Sequence, residues 1–532
     1  MLDILIRGGL VVDGTGGEPF AADVAIDDGM ITDVGSLPRA QARRVIDAKG
    51  LIVCPGLIDP HSHSDWSILG NPTAQSTIRQ GVTTEVVGNC GVTYAPLGPA
   101  SAAVAASALA ALGYEGPVDW RGFTGLLERV AEIRTSQNLA WFVGHSALRD
   151  AVGAGSGVAS QDQLKSMAGL LTEALDAGAL GMSSGLEYGA GRGADTAELA
   201  GLARVVGTHD GMYASHIRNR DANLAAAVKE FFDVARTGGV RAQLSHLNVR
   251  HNTGATPNAW QAAVEQLDRC RQDGIDVLAD MTPYCDGLGM ATGLLPDWLL
   301  EGGPASAARM LADPVVRDRL RRDCDRYWRF VHRGQWDRVM LHSSPDTPEL
   351  EGLSFPDIAR RLGKEEWDAF FDVLAAAGEG MQNVQLMATL FTEEHVAEAV
   401  RHPLFCLGVD AFTSKTDGPL AVRSRHPLFF AGHIHYLAYH VRDKGTLSLP
   451  VAIHKMTAMV ADHFGLSGRG RVRPGHHADL AVFDLPALTE RATRTQPLAY
   501  AGGVPYVVVN GVVVVDASEH TGQRPGTFIS RS

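Results

Sequence analysis

The chain has 532 residues, 45% hydrophobic and 20% charged, an ordinary globular composition that excludes a disordered or disulfide-scaffold protein. At roughly 100–200 residues per domain, this length predicts two to four domains or one large barrel with appendages. Lys+Arg 47 against Asp+Glu 60 gives a net charge of -13, so a nucleic-acid backbone would meet net repulsion and is not expected as a partner.

The N-terminus carries Asp3 where an export signal wants positive charge, and its apolar run ends at Arg7. Six cysteines show no paired spacing, which favours a reducing compartment and a cytoplasmic location. The uncharged stretch 96–114 is built on Ala, Ser and Gly, too weakly apolar to span a membrane, and no membrane association is expected.

From Asp3 to Leu57, short β-branched runs at 4–6, 10–12 and 24–26 alternate with turns such as Asp28-Gly29, the pattern of a small antiparallel sheet. The C-terminal end repeats that style, with runs at 478–483 and 506–515 and the hairpin signal Asn510-Gly511. Neither sheet is long enough to stand alone, so the two ends are expected to form one discontinuous β-sandwich domain, residues 1–58 and 466–532.

Between them, apolar runs at 57–58, 84–87, 140–143, 180–183, 211–214, 242–244, 277–279 and 405–409 alternate with helical periodicity over 161–178, 195–209, 221–237 and 258–272. Eight strands with crossover helices predict an α/β fold, a (β/α)8 TIM-like barrel over residues 59–465 whose chemistry sits at the C-terminal ends of the strands. The rhythm stops after the seventh strand. Residues 285–348, rich in Arg, Trp and Pro (Trp298, Arg321, Arg322, Trp328, Trp336), form an insertion that either covers the active-site mouth or only pads the barrel or makes a contact between like chains.

The chemistry-bearing residues fall at strand ends. Past the first strand comes Asp59-Pro60-His61-Ser62-His63, where period-2 geometry points His61 and His63 the same way, as two ligands of one metal require; two surface histidines in a loop are the alternative. After strand two stands Gly88-Asn89-Cys90-Gly91, after strand five Ser215-His216, after strand six Ser245-His246, and after strand eight Val409-Asp410. Five nitrogen or sulfur donors and one carboxylate converging on one barrel rim predict a metal centre. A lone buried cysteine is usually a small core hydrophobe, but Cys90 sits between glycines rather than core residues, which favours a ligand. His145, at the end of strand three, either supports the ligands from behind or is a hydrogen-bonded core histidine.

These motifs, together with Gly470-Arg-Val-Arg-Pro-Gly475 and Ala478-Asp479-Leu480, resemble the amidohydrolase superfamily. More narrowly, Gly88-Asn89-Cys90-Gly91, Ser183-Ser184-Gly185-Leu186-Glu187-Tyr188 and Tyr213-Ala214-Ser215-His216-Ile217-Arg218 resemble its N-acyl-D-amino-acid deacylase (D-aminoacylase) branch, over nearly the whole chain. The resemblance implies a zinc-dependent hydrolase of a linear amide, with a small-molecule amide as partner. Cys90, His216 and His246 would hold a tight zinc, His61 and His63 a weaker second position, and Asp410 would act as general base and acid. The chain has no lysine from 180 to 204, in agreement with a cysteine-type site rather than one bridged by a carbamylated lysine after strand four. Tyr188 and Arg218 match positions that line the pocket of these enzymes. Assembly into a homo-oligomer is left open.

One departure bears on the substrate. The deacylases are expected to hold the substrate α-carboxylate with a lysine two positions after the strand-six histidine, together with a tyrosine and a serine after strand seven. This chain has Asn248 at the first position, keeps Tyr284, and lacks the serine over 285–290. The clamp is therefore incomplete unless Arg250 or an arginine of the insertion supplies the charge. A carboxylate-free or cyclic amide or ureide is the alternative substrate class, and a non-catalytic binding protein is disfavoured because Asp410 accompanies all five metal donors.

Overall fold

The computed structural model describes residues 1–324 and 328–531; residues 325–327 of the expected insertion lie outside the described residues. Eight parallel strands, Leu57–Asp59, Val82–Val87, Asn138–Gly144, Gly181–Gly185, Met212–His216, Arg241–Leu244, Val277–Met281 and Phe405–Leu407, are hydrogen-bonded in chain order. Most are buried along their whole length, as continuous apolar runs covered by helices require. The expected helices form as Gln161–Asp176, Thr196–Gly207, Leu224–Gly238 and Ala259–Gln272. The first opens on a reciprocal cap, in which Ser160 Oγ accepts from Gln163 N at 3.2 Å and the Gln163 side chain accepts from Ser160 N at 2.9 Å. Its Met167, Leu171, Ala174 and Leu175 then share one buried face.

The ring closes at the C-terminal ends of strands one and eight. His61 O accepts from Asp410 N at 2.8 Å and Ala411 O accepts from His63 N at 2.7 Å, with a parallel bridge between Ser62 and Ala411. The interior is filled by Ile58, Val86, Ala140, Phe142, Leu180, Met212, Ala214 and Cys406, against Val460 and Phe464 of the helix Ala458–Phe464. It is a packed core with chemistry available only at its rim.

Strands from both termini join in one nine-stranded sheet, through antiparallel pairing of Ile52–Pro55 with Leu480–Phe483. This sheet curls over its own core of Ile4, Ile6, Val24, Ile26, Val53, Leu480, Val482 and Val508 to make the small β-sandwich domain. The two ends are thus zipped strand to strand, because the N-terminal sheet offers its Ile52–Pro55 edge to the C-terminal one. Asp28-Gly29 and Asn510-Gly511 both turn with positive φ at each residue (48°, 75° and 47°, 76°), the two-residue hairpin geometry their sequences announce. A Cβ on Gly511 would stand 2.5 Å from Gly29 Cα, so the two turns touch.

After strand seven the chain builds a three-stranded antiparallel sheet from Asp286–Met290, Val339–Ser343 and Gln385–Thr389, the last lying between the other two. This module therefore runs past residue 348, and the barrel resumes with the helix Glu393–Arg401. Its helices Phe355–Leu362 and Glu366–Ala377 carry the same amphipathic periodicity as barrel helices, which hides the boundary in the sequence. Among the described residues no helix is long and apolar enough to cross a membrane.

Candidate metal centre

The barrel closure bonds fix the backbone that carries His61, His63 and Asp410. His61 Nδ1 lies 3.0 Å from Asp280 Oδ1, which turns its Nε2 to within 3.3 Å of both Cys90 Sγ and Asp410 Oδ1. His63 Nε2 is 3.1 Å from the same Asp410 oxygen. On the other side of the thiol, His246 Nε2 approaches Cys90 Sγ at 3.5 Å, and the His216 and His246 rings meet edge to face at 4.4 Å. The six side chains form two overlapping groups able to hold a metal: His61, His63, Cys90 and Asp410, and Cys90, His216 and His246, the donor atoms of each lying within 4.8 Å of one another. Cys90 belongs to both.

Three of these residues, Cys90, His246 and Asp410, have φ of 54°, 35° and 57°, in the left-handed region that costs a non-glycine residue of order 1–3 kcal/mol and persists only where the surroundings enforce it. The enforcement at Cys90 comes from glycines. A Cβ on Gly91 would stand 2.6 Å from Gly185 N, one on Gly185 2.2 Å from Cys90 O, and one on Gly144 2.5 Å from Gly91 O. Strands three and four can close on the Cys90 turn only because these positions lack side chains.

The electrostatics are those of a site built for a cation. Burial pushes the Cys90 thiol up, but His61, His216 and His246 pull it well below its ordinary value. Burial likewise opposes ionisation of Asp410, yet the charges of His61 and His246 and the bonds to His61 and His63 hold its carboxyl well below the usual range. His61 and His63 shift upward in answer. Burial disfavours a charged His61, but Asp280, Cys90 and Asp410 drive its pKa well up; His63 is raised to about 10, with Asp410 and Cys90 outweighing burial. His246, by contrast, falls to about 4 through burial and the nearby Arg220 and His216. A thiolate, a carboxylate and imidazoles suit zinc in both charge and softness, so the residues present fit the metal that the motifs imply.

A second layer holds the donors in place. Asp280 takes His61 Nδ1, the backbone N–H of His246 at 2.8 Å and Gln243 Nε2 at 2.7 Å, so one buried carboxylate orients two candidate ligands. Glu85 accepts from Ser62 Oγ at 2.7 Å and Ser64 Oγ at 2.8 Å, and from Gln137. Asp59 accepts from the N–H groups of His61 at 3.0 Å and Val409 at 3.2 Å, tying strand one to strand eight. Glu187 lies 2.9 Å from His216 Nε2 and takes Arg250 at 2.7 and 2.5 Å; burial opposes its charge, but Arg250 and His216 hold its carboxyl well below the usual range.

A cavity of about 150 Å3 opens on His246 and Asp410, with Arg220, Asn248, Leu288 and Phe391 among its walls. Tyr188 reaches the cluster, its hydroxyl 3.3 Å from His216 Nδ1 and donating to Cys90 O at 3.4 Å. Arg218, expected in the pocket, turns away to Glu230 at 2.9 Å and the carbonyl of Ala194 at 2.8 Å. Tyr284 is drawn off by Glu490, to which its hydroxyl donates at 3.1 Å, and it stacks on His435 at 4.1 Å. His145 lies 2.7 Å from Glu198, which also takes Arg149. That bond gives it the role of a hydrogen-bonded core histidine. Arg250 is spent on Glu187 and on Asp221 at 3.0 Å, so it does not supply the missing clamp charge.

The chain matches the Amidohydrolase family over residues 44–328 and 407–515. It belongs to that family. Within it, this amidohydrolase falls in the D-aminoacylase branch: it is 33% identical to the N-acyl-D-glutamate deacylase of Alcaligenes xylosoxydans xylosoxydans, over 100% of this chain and 97% of that protein. Among solved structures, the N-acyl-D-glutamate deacylase of Bordetella bronchiseptica, complexed with zinc and a phosphonate mimic of the tetrahedral intermediate, superimposes with a TM-score of 0.81 at 30% identity over 99% of both chains. A D-aminoacylase does so with a TM-score of 0.80 at 30% identity over 100% of both.

In this amidohydrolase the layer behind the candidate ligands carries no motif of its own. Asp280 stood within reach, as an acidic residue inside an otherwise apolar run at the C-terminal end of strand seven. Glu85, inside strand two, carried the same signal. Arg220 did not, since an arginine in a polar strand-to-helix loop is ordinarily solvated.

Proposed function

We propose that the protein is a zinc-dependent hydrolase of a linear amide bond, acting on N-acyl-D-amino acids or close analogues. The reading rests above all on the placement of Asp410, whose carboxylate meets His61 and His63 beside the Cys90 thiol and also faces the cavity. The full-length similarity to deacylases supports the substrate class. In this reading Cys90, His216 and His246 hold one tight zinc, and His61 and His63 offer a weaker second position.

A zinc ion held there supplies Lewis acidity, which acidifies water and polarises a carbonyl oxygen. The rest falls to the chain's own groups. Asp410 stays ionised because neighbouring histidines hold its carboxyl low, so the carboxylate can take a proton from the attacking water and later pass it to the leaving nitrogen. Asp280 keeps His61 and the His246 backbone in register while the charge moves. Leu288, Leu390 and Phe391 bring the module after strand seven to the cavity wall, which supports reading that module as a cover that limits bulk water there.

Asn248, standing where a lysine is expected, favours a second reading in which the substrate carries no carboxylate. A zinc-loaded preparation assayed against N-acyl-D-amino acids, their L-isomers, and hydantoins separates the two. Hydrolysis of the D-acyl series, with turnover lowered about 100-fold or more in Asp410→Asn at retained zinc, is the expected result. Turnover confined to cyclic ureides would overturn it.

A further inference from the structure

The expected clamp lacks its lysine, yet the cavity does not lack a cation. Arg220 lies four residues beyond His216, its side chain 11% exposed, and it lines the same cavity as Asn248 and Asp410. Its Nη1 stands 3.2 Å from His246 Nδ1. The carboxylate that approaches it is Glu187, 3.8 Å from Nη2, and Glu187 is already bound by two nitrogens of Arg250 and by His216. The Arg220 Nε is buried without a hydrogen-bond partner. A buried guanidinium whose charge is only distantly answered is costly unless an anion joins it.

Its surroundings point the same way. Asn248 is 8% exposed and its Oδ1 has no partner, so no hydrogen bond to that oxygen opposes a turn of the amide that would present its N–H groups to a ligand. Asp286, the other acid on the cavity wall, is matched by Arg494 at 3.2 Å and accepts from Thr389 at 2.7 Å, so it does not compete for Arg220. Distance also selects the anion. Arg220 is separated from the Cys90 side of the cluster by the width of the His246 ring alone. In an N-acyl amino acid the α-carboxylate and the amide nitrogen are attached to the same carbon. A carboxylate at Arg220 therefore leaves the scissile amide beside the ligand cluster, whereas a carboxylate farther along a side chain would not.

We infer that Arg220, with Asn248 as a neutral donor beside it, receives the α-carboxylate of the substrate in place of the absent lysine. This rests on the amide-hydrolase reading above, and it makes a free carboxylate a requirement for good turnover.

The test uses the zinc-loaded full chain with N-acetyl-D-leucine and its carboxamide, in wild type, Arg220→Gln and Arg220→Lys, with zinc content measured for each. Wild type is expected to favour the acid. Arg220→Gln should lower the acid-to-amide ratio of kcat/KM by about 10- to 100-fold, the scale of a charge-assisted hydrogen bond, chiefly through KM. Arg220→Lys should keep more of the preference than Arg220→Gln. An unchanged ratio in Arg220→Gln, or equal loss in both variants, would overturn the assignment. Should a variant lose its zinc or its fold, product inhibition of the wild type decides: D-leucine is expected to inhibit more tightly than D-leucinamide, and equal inhibition overturns the proposal. Failure of wild type to cleave either compound would count against the amide-hydrolase reading itself, whereas cleavage without a carboxylate preference counts against Arg220 alone.

Discussion

The ligand cluster and the cavity wall beside it share a barrel rim and differ in how they are held. Around Cys90, His61 and Asp410, neighbouring backbone is pinned by barrel closure, by glycines that admit no Cβ, or by buried carboxylates with several donors each. On the wall, Arg220 Nε and Asn248 Oδ1 are left without partners, and the apolar part of the surface is shared between Leu288, Leu390 and Phe391 of the module after strand seven and Leu428 and Phe429 of the barrel. The chemistry is over-determined and the recognition surface is open. Such a division lets one scaffold keep its reaction while its substrate changes.

The largest effect is expected from Cys90→Ala. Since Cys90 serves both donor groups, the variant should fall from about one zinc per chain to almost none and lose measurable turnover. Elemental analysis beside an activity assay checks this; full zinc in the variant would make Cys90 a packing residue.

Acidification should weaken the two proposed metal positions unequally. His63 has its pKa near 10 and His61 is also raised, so a metal entering the second position must displace protons, and its affinity should weaken by about tenfold per pH unit for each proton displaced as pH falls from 8 to 6. The proposed tight position includes His246, lowered to about 4, and a thiol held well below its ordinary value; its affinity should change far less. Titration calorimetry in buffers of different ionisation enthalpy reads both, and parallel pH slopes at the two positions would contradict the assignment.

Asp280→Asn probes the layer behind the ligands. It removes the charge that orients His61 without touching the cavity, and metal affinity or activity should drop roughly 10- to 100-fold, the usual scale for such an outer partner. The smallest effect is expected from Tyr284→Phe. Its hydroxyl is bound to Glu490, so kcat/KM should stay within about twofold of wild type while stability falls by about 1 kcal/mol. A large KM increase would show that Tyr284 swings into the pocket with substrate.

The pairing of the two ends within one sheet was not legible along the chain, whereas the eight barrel strands, the β-rich termini with their Asp28-Gly29 and Asn510-Gly511 turns, and the six residues that converge at the barrel rim were. The reason is local: period-2 alternation aims His61 and His63 together, glycines permit the Cys90 turn, and a closed barrel gathers every strand end onto one rim. Which charges then pair was decided only in three dimensions. Glu490, 206 residues from Tyr284, takes its hydroxyl; Glu187, 63 residues from Arg250, takes its guanidinium; Glu230 takes Arg218. The strand Gln385–Thr389 likewise joined the module after strand seven because antiparallel partners at 286–290 and 339–343 were available to it. Competition among distant charges and strand edges depends on which groups the fold brings within a few ångströms of each other, and neither spacing nor periodicity along the chain encodes that. Arg220 is the residue this competition leaves facing the cavity.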